Sequence, residues 1–323
     1  MKNHKIKFLT YPQDSTYRGL KTVEKFTSKA RILRLGLQIG PCYAPHKVRD
    51  FNMSDMQSLE TYMPPAEREF GLVNWMGLAT LYKKEVKRFM KVGPQTLLAP
   101  VISNLLYMTV FVLAFSALRP DPKAFMAFLA PGLVMLGILN NAAANSSSSI
   151  MTGKMMGSIT DVLMPPLSYF ELALGWVSGA ATRGILVAAV TSIALSIFTP
   201  MIPIHIWAVL FFGISAAFMM GMIGVLSGVW AEKFDQLAVV NQFIILPLSF
   251  LSGTFYSIDV LPATFQKLIL FNPLFYLIDG FRYGFLGTSD GPVMTGVIVT
   301  TLINIILFLV VLKVLKSGWR IKS

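Results

Sequence analysis

Charge is scarce in this chain of 323 residues: Asp, Glu, Lys and Arg together make up 14%. Soluble domains run nearer a quarter, so a water-soluble globular protein is excluded first. Cysteine is rarer still. Cys42 stands alone, which rules out a disulfide within the chain and a Cys-x-x-Cys metal cluster. His4, His46 and His205 are far apart and show no ligand spacing, so no metal site is expected. No G-x-x-x-x-G-K-[ST] occurs: Gly153-Lys154 lacks the upstream glycine and a following Ser or Thr. ATP binding by that loop is therefore excluded. Gly-x-Ser-x-Gly, His-Glu-x-x-His and clustered carboxylates are missing too, and catalysis by this chain has no support. The first residues carry charge but no apolar run ending in a small-residue cleavage site, so no secretory signal is read there.

Apolar residues fill the space that charge leaves. They reach 54% of the chain, with a mean hydropathy of +0.61. Six runs near the ~20 residues needed to cross ~30 Å of hydrocarbon are expected at about 95–117, 125–147, 170–197, 205–230, 237–256 and 292–314. The net charge of +12 is concentrated before the first run and after the last. A nucleic-acid protein would instead spread its basic residues through a folded polar domain, so no nucleic-acid partner is expected. Lys83, Lys84, Lys87, Arg88, Lys91, Lys154, Lys233, Lys313, Lys316, Arg320 and Lys322 flank one side of the spans. Only Arg119, Lys123, Lys267 and Arg282 fall on the other. The positive-inside rule then puts both termini in the cytoplasm, as an even number of spans requires.

The fold class expected is an all-α membrane protein. It has six transmembrane helices, an N-terminal interfacial amphipathic helix, and extracellular re-entrant helices between spans five and six. Residues 1–70 read as a polar, loosely ordered cytoplasmic extension, and 71–323 as the membrane domain. In residues 72–95, Trp75, Leu78, Tyr82, Val86 and Phe89 form an apolar stripe and the lysines a basic face, the pattern of a helix lying in the headgroup layer of the lipid bilayer. Gly153 to Leu163 is expected to form a short helix parallel to the membrane, ended by Pro165 and Pro166. It would serve as a docking knob. Arg183 falls near the middle of span three, where a charge is expensive and faces a bundle interior, a partner or a water-filled pathway. Glu171, at the start of that span, is expected at the interface. Gly175/Gly179 and Gly224/Gly228 permit close helix approach.

The stretch "NPLFYLIDGFRYGFLG", 272–287, combines apolar and aromatic residues with Asp279 and Arg282 at i, i+3. The two can pair on one face of a helix that dips into the outer interface. Phe275, Tyr276, Phe281, Tyr283 and Phe285 suit an aromatic belt at that depth.

Several of these stretches resemble one family. "YKKEVKRFMKVGPQTLLAPVI" is similar to the interface helix and first span of ABC-2 type permeases, the transmembrane half of bacterial ATP-binding-cassette exporters. "SITDVLMPPLSYFELALGWVSGAATRG" looks like their coupling loop and third span. The region from "FDQLAVVNQF" to "FRYGFLG" is similar to span five and the extracellular re-entrant helices. The likeness runs from about residue 73 to the end and is strongest for inner-membrane permeases of the drug, Nod-factor and polysaccharide exporter group. It implies a bacterial inner-membrane homodimer above two separate ATPase subunits, with ATP and Mg bound by those partners and no cofactor on this chain. The ATPase contact would lie at Gly153, Met156, Ile159, Asp161 and Leu163, and the outer re-entrant helix would carry Asp279, Arg282 and Tyr283. The substrate would be amphipathic, lipid-linked, saccharide or drug-like.

A secondary transporter or channel driven by an ion gradient is the alternative. Such proteins commonly show internal repeats and mid-membrane carboxylates, and neither is evident. A membrane scaffold that transports nothing is a further one.

Overall fold

The structure is a computed structural model that describes residues 73–115 and 121–320. The polar extension expected over 1–70 lies outside the described residues. Among the described residues there are helices and turns but no strands, and six helical segments are long and apolar enough to cross a membrane.

Helix α1 spans Trp75–Lys91 and is followed almost directly by α2, Gly93–Phe115. Helix α3, Pro122–Met155, starts at a strong signal. Asp121 caps it by accepting from Lys123 N at 2.9 Å and Ala124 N at 3.2 Å, with Pro122 at the first helical position. Then come the short α4, Ile159–Leu163, and α5, Tyr169–Leu195. A capping box opens α5: Ser168 Oγ accepts from Glu171 N and Glu171 Oε2 accepts from Ser168 N. Helix α6 covers Ile206–Trp230. Span five is one continuous segment made of α7 (Phe234–Val239), a π-helical stretch (Val240–Ile245) and α8 (Leu246–Leu251). Two non-spanning helices follow, α9 at Ala263–Leu270 and α10 at Pro273–Leu286, and α11 closes the bundle at Val293–Ser317.

The long α3 is the centre of the packing. It lies against α5 and α6 along most of its length and also touches α2 and α10. One apolar core joins α3, α6 and α10 through Leu129, Leu133, Ile138, Phe212, Leu277 and Phe281. A second, at the other end, joins α1, α5, α6 and α11 through Leu81, Trp176, Val225 and Leu315. Without a hydrophobic drive inside lipid, such contacts depend on close approach. The glycine pairs supply it. A Cβ on Gly175 or Gly179 would lie 2.5 Å from Leu81 or Glu85 of α1. One on Gly224 or Gly228 would run into Ser146 and Ser147 of α3. Both pairs therefore mark seams inside the bundle.

Two expected boundaries change. The second span does not stop near 147 but continues as helix to Met155. Within the helical Asn-Ser run the serines are satisfied: Ser147 Oγ donates to Ala143 O at 2.8 Å and Ser146 Oγ to Gly221 O of α6 at 2.8 Å. Span five ends at Leu251 rather than near 256, where Gly253 takes a left-handed φ of +78° and turns the chain.

Candidate functional site

At one end of the bundle, α3 turns back through Met156–Ser158, with Gly157 at φ +69°, into α4. The helix expected over Gly153–Leu163 is thus two pieces. Gly153 belongs to α3, and Ile159–Leu163 alone forms the short helix before Pro165 and Pro166. The apolar residues divide as well. Ile159 is buried and packs over Gly153, and Leu163 is half-buried. Met155, Met156 and Met164 are exposed, as is Asp161. The outward surface of the turn is therefore a methionine cluster with one carboxylate; Met156 and Asp161 belong to it, while Ile159 supports it from behind.

Behind this turn Glu171, in the first turn of α5, ties that helix to the start of α1. Its Oε1 accepts from Asn74 N at 2.5 Å, just before α1, and its Oε2 from Ser168 N at 2.6 Å, just before α5. Asn74 Nδ2 also donates to Pro166 O at 3.4 Å. Glu171 is buried at the start of its span, with these backbone donors in place of water. Ile159 and Val162 of α4 pack in one apolar cluster with Leu81 of α1 and Leu172 of α5, so displacement of α4 would act on both helices.

Further into the bundle, α1, α2, α3 and α5, with Leu246 of span five, line a partly open cavity of about 570 Å³. Arg88, Arg183, Asn104, Asn140, Asn141 and Ser148 line it, with Val92, Leu136 and Leu246 among its apolar wall. Arg88 is balanced. It pairs with the buried Glu85 at 3.3 Å and donates to Asn145 O at 2.7 Å and Asn145 Oδ1 at 2.9 Å. Glu85 also accepts from Ser149 Oγ at 2.6 Å. Among the described residues Arg183 has no carboxylate within ion-pair distance. Its Nη2 donates to Asn141 Oδ1 at 3.1 Å, and its buried Nε has no partner. Asn104 Nδ2, on the facing helix, is likewise buried and unpartnered. Arg88 and Glu85 were not singled out as a site from sequence, since a lysine-rich face read as a lipid-facing surface. The signal for them was the lone acidic residue one turn before Arg88.

The third group lies in α10. Asn272 caps this helix and Gly287 ends it at a left-handed φ of +72°. Asp279 and Arg282 do not form the expected ion pair. Asp279 accepts from Asp290 N at 2.9 Å and Gly291 N at 3.0 Å. Arg282 donates to Gly253 O at 2.7 Å and Phe128 O at 3.3 Å, and its guanidinium stacks 3.8 Å above the Phe128 ring. Both are buried, and burial pushes the Asp279 carboxyl up and the Arg282 guanidinium down to about 10, each effect tempered by the other's charge. The aromatic-belt reading changes for the same reason. Phe275 and Phe281 are buried in protein, because α10 packs against α3, α6 and α11. Tyr283 stacks on His205, with ring centroids 4.7 Å apart.

The profile of the ABC-2 type transporter family matches residues 76–286. The chain belongs to the ABC-2 type transporter family. It is 34% identical over 252 residues to the inner membrane transport permease YadH of Escherichia coli K12, covering 77% of this chain and 98% of that one. It is 26% identical over 198 residues to Nodulation protein J of Rhizobium leguminosarum bv. viciae, covering 59% of this chain and 74% of that one. As an ABC-2 permease it is the transmembrane subunit of an ABC transporter, a multi-pass membrane transport permease. The family match runs from α1 through the end of α10, so the turn, the cavity and the two buried charges all fall inside it.

Proposed function

We propose that this permease is the membrane half of an exporter driven by a separate ABC ATPase. The observation that carries the reading is the α3–α4 turn, with its exposed methionines on one side and, on the other, Ile159 and Val162 of α4 packed with Leu81 of α1 and Leu172 of α5. Flexible, polarizable methionines suit a docking surface. A partner that pushes on them would move two helices that wall the cavity. ATP and Mg would bind on the ATPase, and this chain would supply the pathway. The coupling residues would be Met156 and Asp161 with Gly153, the buried Ile159 and Leu163 supporting them.

The same reading places both termini and the α3–α4 turn in the cytoplasm of a bacterial inner membrane, with α1 lying at the inner headgroup layer and α9 and α10 forming the outer re-entrant element. The lysine bias supports it. Helix α2, span five and α11 turn most of their length outward, which leaves faces for lipid and for a second copy in a homodimer. The substrate class consistent with the polar-and-apolar cavity is an amphipathic or lipid-linked molecule, saccharide or drug-like.

Copurification tests the coupling. The full chain, coexpressed with candidate ABC ATPases, should retain one of them, and ATP hydrolysis by the complex should respond to reconstitution in lipid. Met156→Asp should reduce retention by tenfold or more, since a buried charge in a protein groove costs about several kcal/mol. An unchanged complex and unchanged transport in Met156→Asp would overturn the assignment of the turn.

A further inference from the structure

We infer that the cavity bounded by Arg88 and Arg183 is a binding site for the anionic head of an amphiphile, with phosphate the group its chemistry fits. The site rests on the transport reading above and names the substrate feature that reading leaves open. The argument starts with Arg183. A guanidinium stays protonated and offers five N–H donors. Inside a membrane bundle such a charge is expected to find a counter-charge or a wet cavity. Here it opens on a cavity that no carboxylate lines, and it donates to one protein acceptor, Asn141 Oδ1. Its buried Nε is free. So is Asn104 Nδ2 on the facing wall. Buried donors without partners are uncommon, and two at one cavity beside a permanent cation have a common remedy in an oxyanion.

The approach to the site points the same way. Lys83, Lys84, Lys87 and Lys91 line a recess on the exposed face of α1, and Arg88 lines both that recess and the cavity. A continuous row of cations thus leads from the basic face into the bundle, and like-signed clefts concentrate an oppositely charged ligand. Glu85 neutralises Arg88 from behind, so the row ends at the uncompensated Arg183. An apolar wall beside the donors suits a chain attached to the head. Bidentate contact with phosphate is what a guanidinium does best.

The test is titration of the full chain in a neutral detergent with three probes: dioctanoyl phosphatidic acid, dioctanoyl phosphatidylcholine and inorganic phosphate. Phosphatidic acid should saturate at one molecule per chain. Phosphatidylcholine, whose choline meets the cations, should bind about tenfold more weakly or worse. Inorganic phosphate should compete only at far higher concentration; equal affinity would assign the site to a free anion and overturn the amphiphile. Arg183→Gln should weaken phosphatidic acid about tenfold or more, the loss of a charge-assisted contact, and Arg183→Lys should keep part of it. Should Arg183→Gln fail to fold, Asn104→Leu decides. It removes a donor with no protein partner, so the melting temperature should hold while affinity falls severalfold. Unchanged phosphatidic acid binding in the folded variants overturns the site. The titration contains no ATPase, so that result alongside intact ATP-driven transport would leave the export reading standing.

Discussion

Asp279 and Arg282 are neighbours that hold different parts of the chain. The carboxylate gathers N–H donors of Asp290 and Gly291, and the guanidinium gathers carbonyls of Gly253 and Phe128. Their ligands have opposite polarity, so the residues are not interchangeable. Asp279→Ala and Arg282→Ala should each lower the melting temperature of the purified protein, by an amount corresponding to about 1.5–3 kcal/mol for a lost charged hydrogen bond. The exchange Asp279→Arg with Arg282→Asp should be worse than either, because it turns a carboxylate toward carbonyls and a guanidinium toward N–H groups. Recovery of stability in the exchanged protein would mean that the two act as a simple pair. Glu171 behaves alike at the other end. Glu171→Gln leaves one acceptor for two backbone donors, and ATP hydrolysis should then proceed with reduced transport.

Helices meet here through small residues, and that can be tested one seam at a time. Gly179→Leu would place a branched side chain where a Cβ alone already lies 2.5 Å from Glu85 Cβ. Overpacking typically costs about 1–3 kcal/mol, and it should also displace Glu85, the counter-charge of Arg88. A drop of several degrees in thermal unfolding is expected. Gly93→Ala, with open space around its position, is the matched control and should leave that temperature unchanged or slightly higher. A Gly179→Leu protein as stable as the control would mean that α1 does not dock on α5 at this seam.

Six spans put the α3–α4 turn and the loop after α10 on opposite faces of the membrane when every span crosses. Single cysteines at Ser158 and Ser289, in a Cys42→Ser background, should react with a membrane-impermeant maleimide from opposite sides of sealed vesicles. Ser289 is exposed and Ser158 half-buried, so labelling at Ser158 should be slower but one-sided. Labelling of both from the same side would overturn the six-span topology.

Periodicity and hydropathy alone determined the number of spans and their approximate places, because ~20 apolar residues in lipid have few other solutions. Residues 148–155 read as the start of a loop, whereas α3 continues through them as helix to Met155. What depended on distant chain was not legible. Asp279 and Arg282 read as partners because i, i+3 spacing is local, while their ligands lie 11 to 154 residues away. Arg183 was visible as an expensive charge, but only the tertiary structure could show that Glu85 is spent on Arg88 and that Arg183 faces the cavity without a carboxylate of its own. Charge balance in a low-dielectric interior is decided by which groups come within a few ångströms of one another, and that is fixed by packing across the whole bundle.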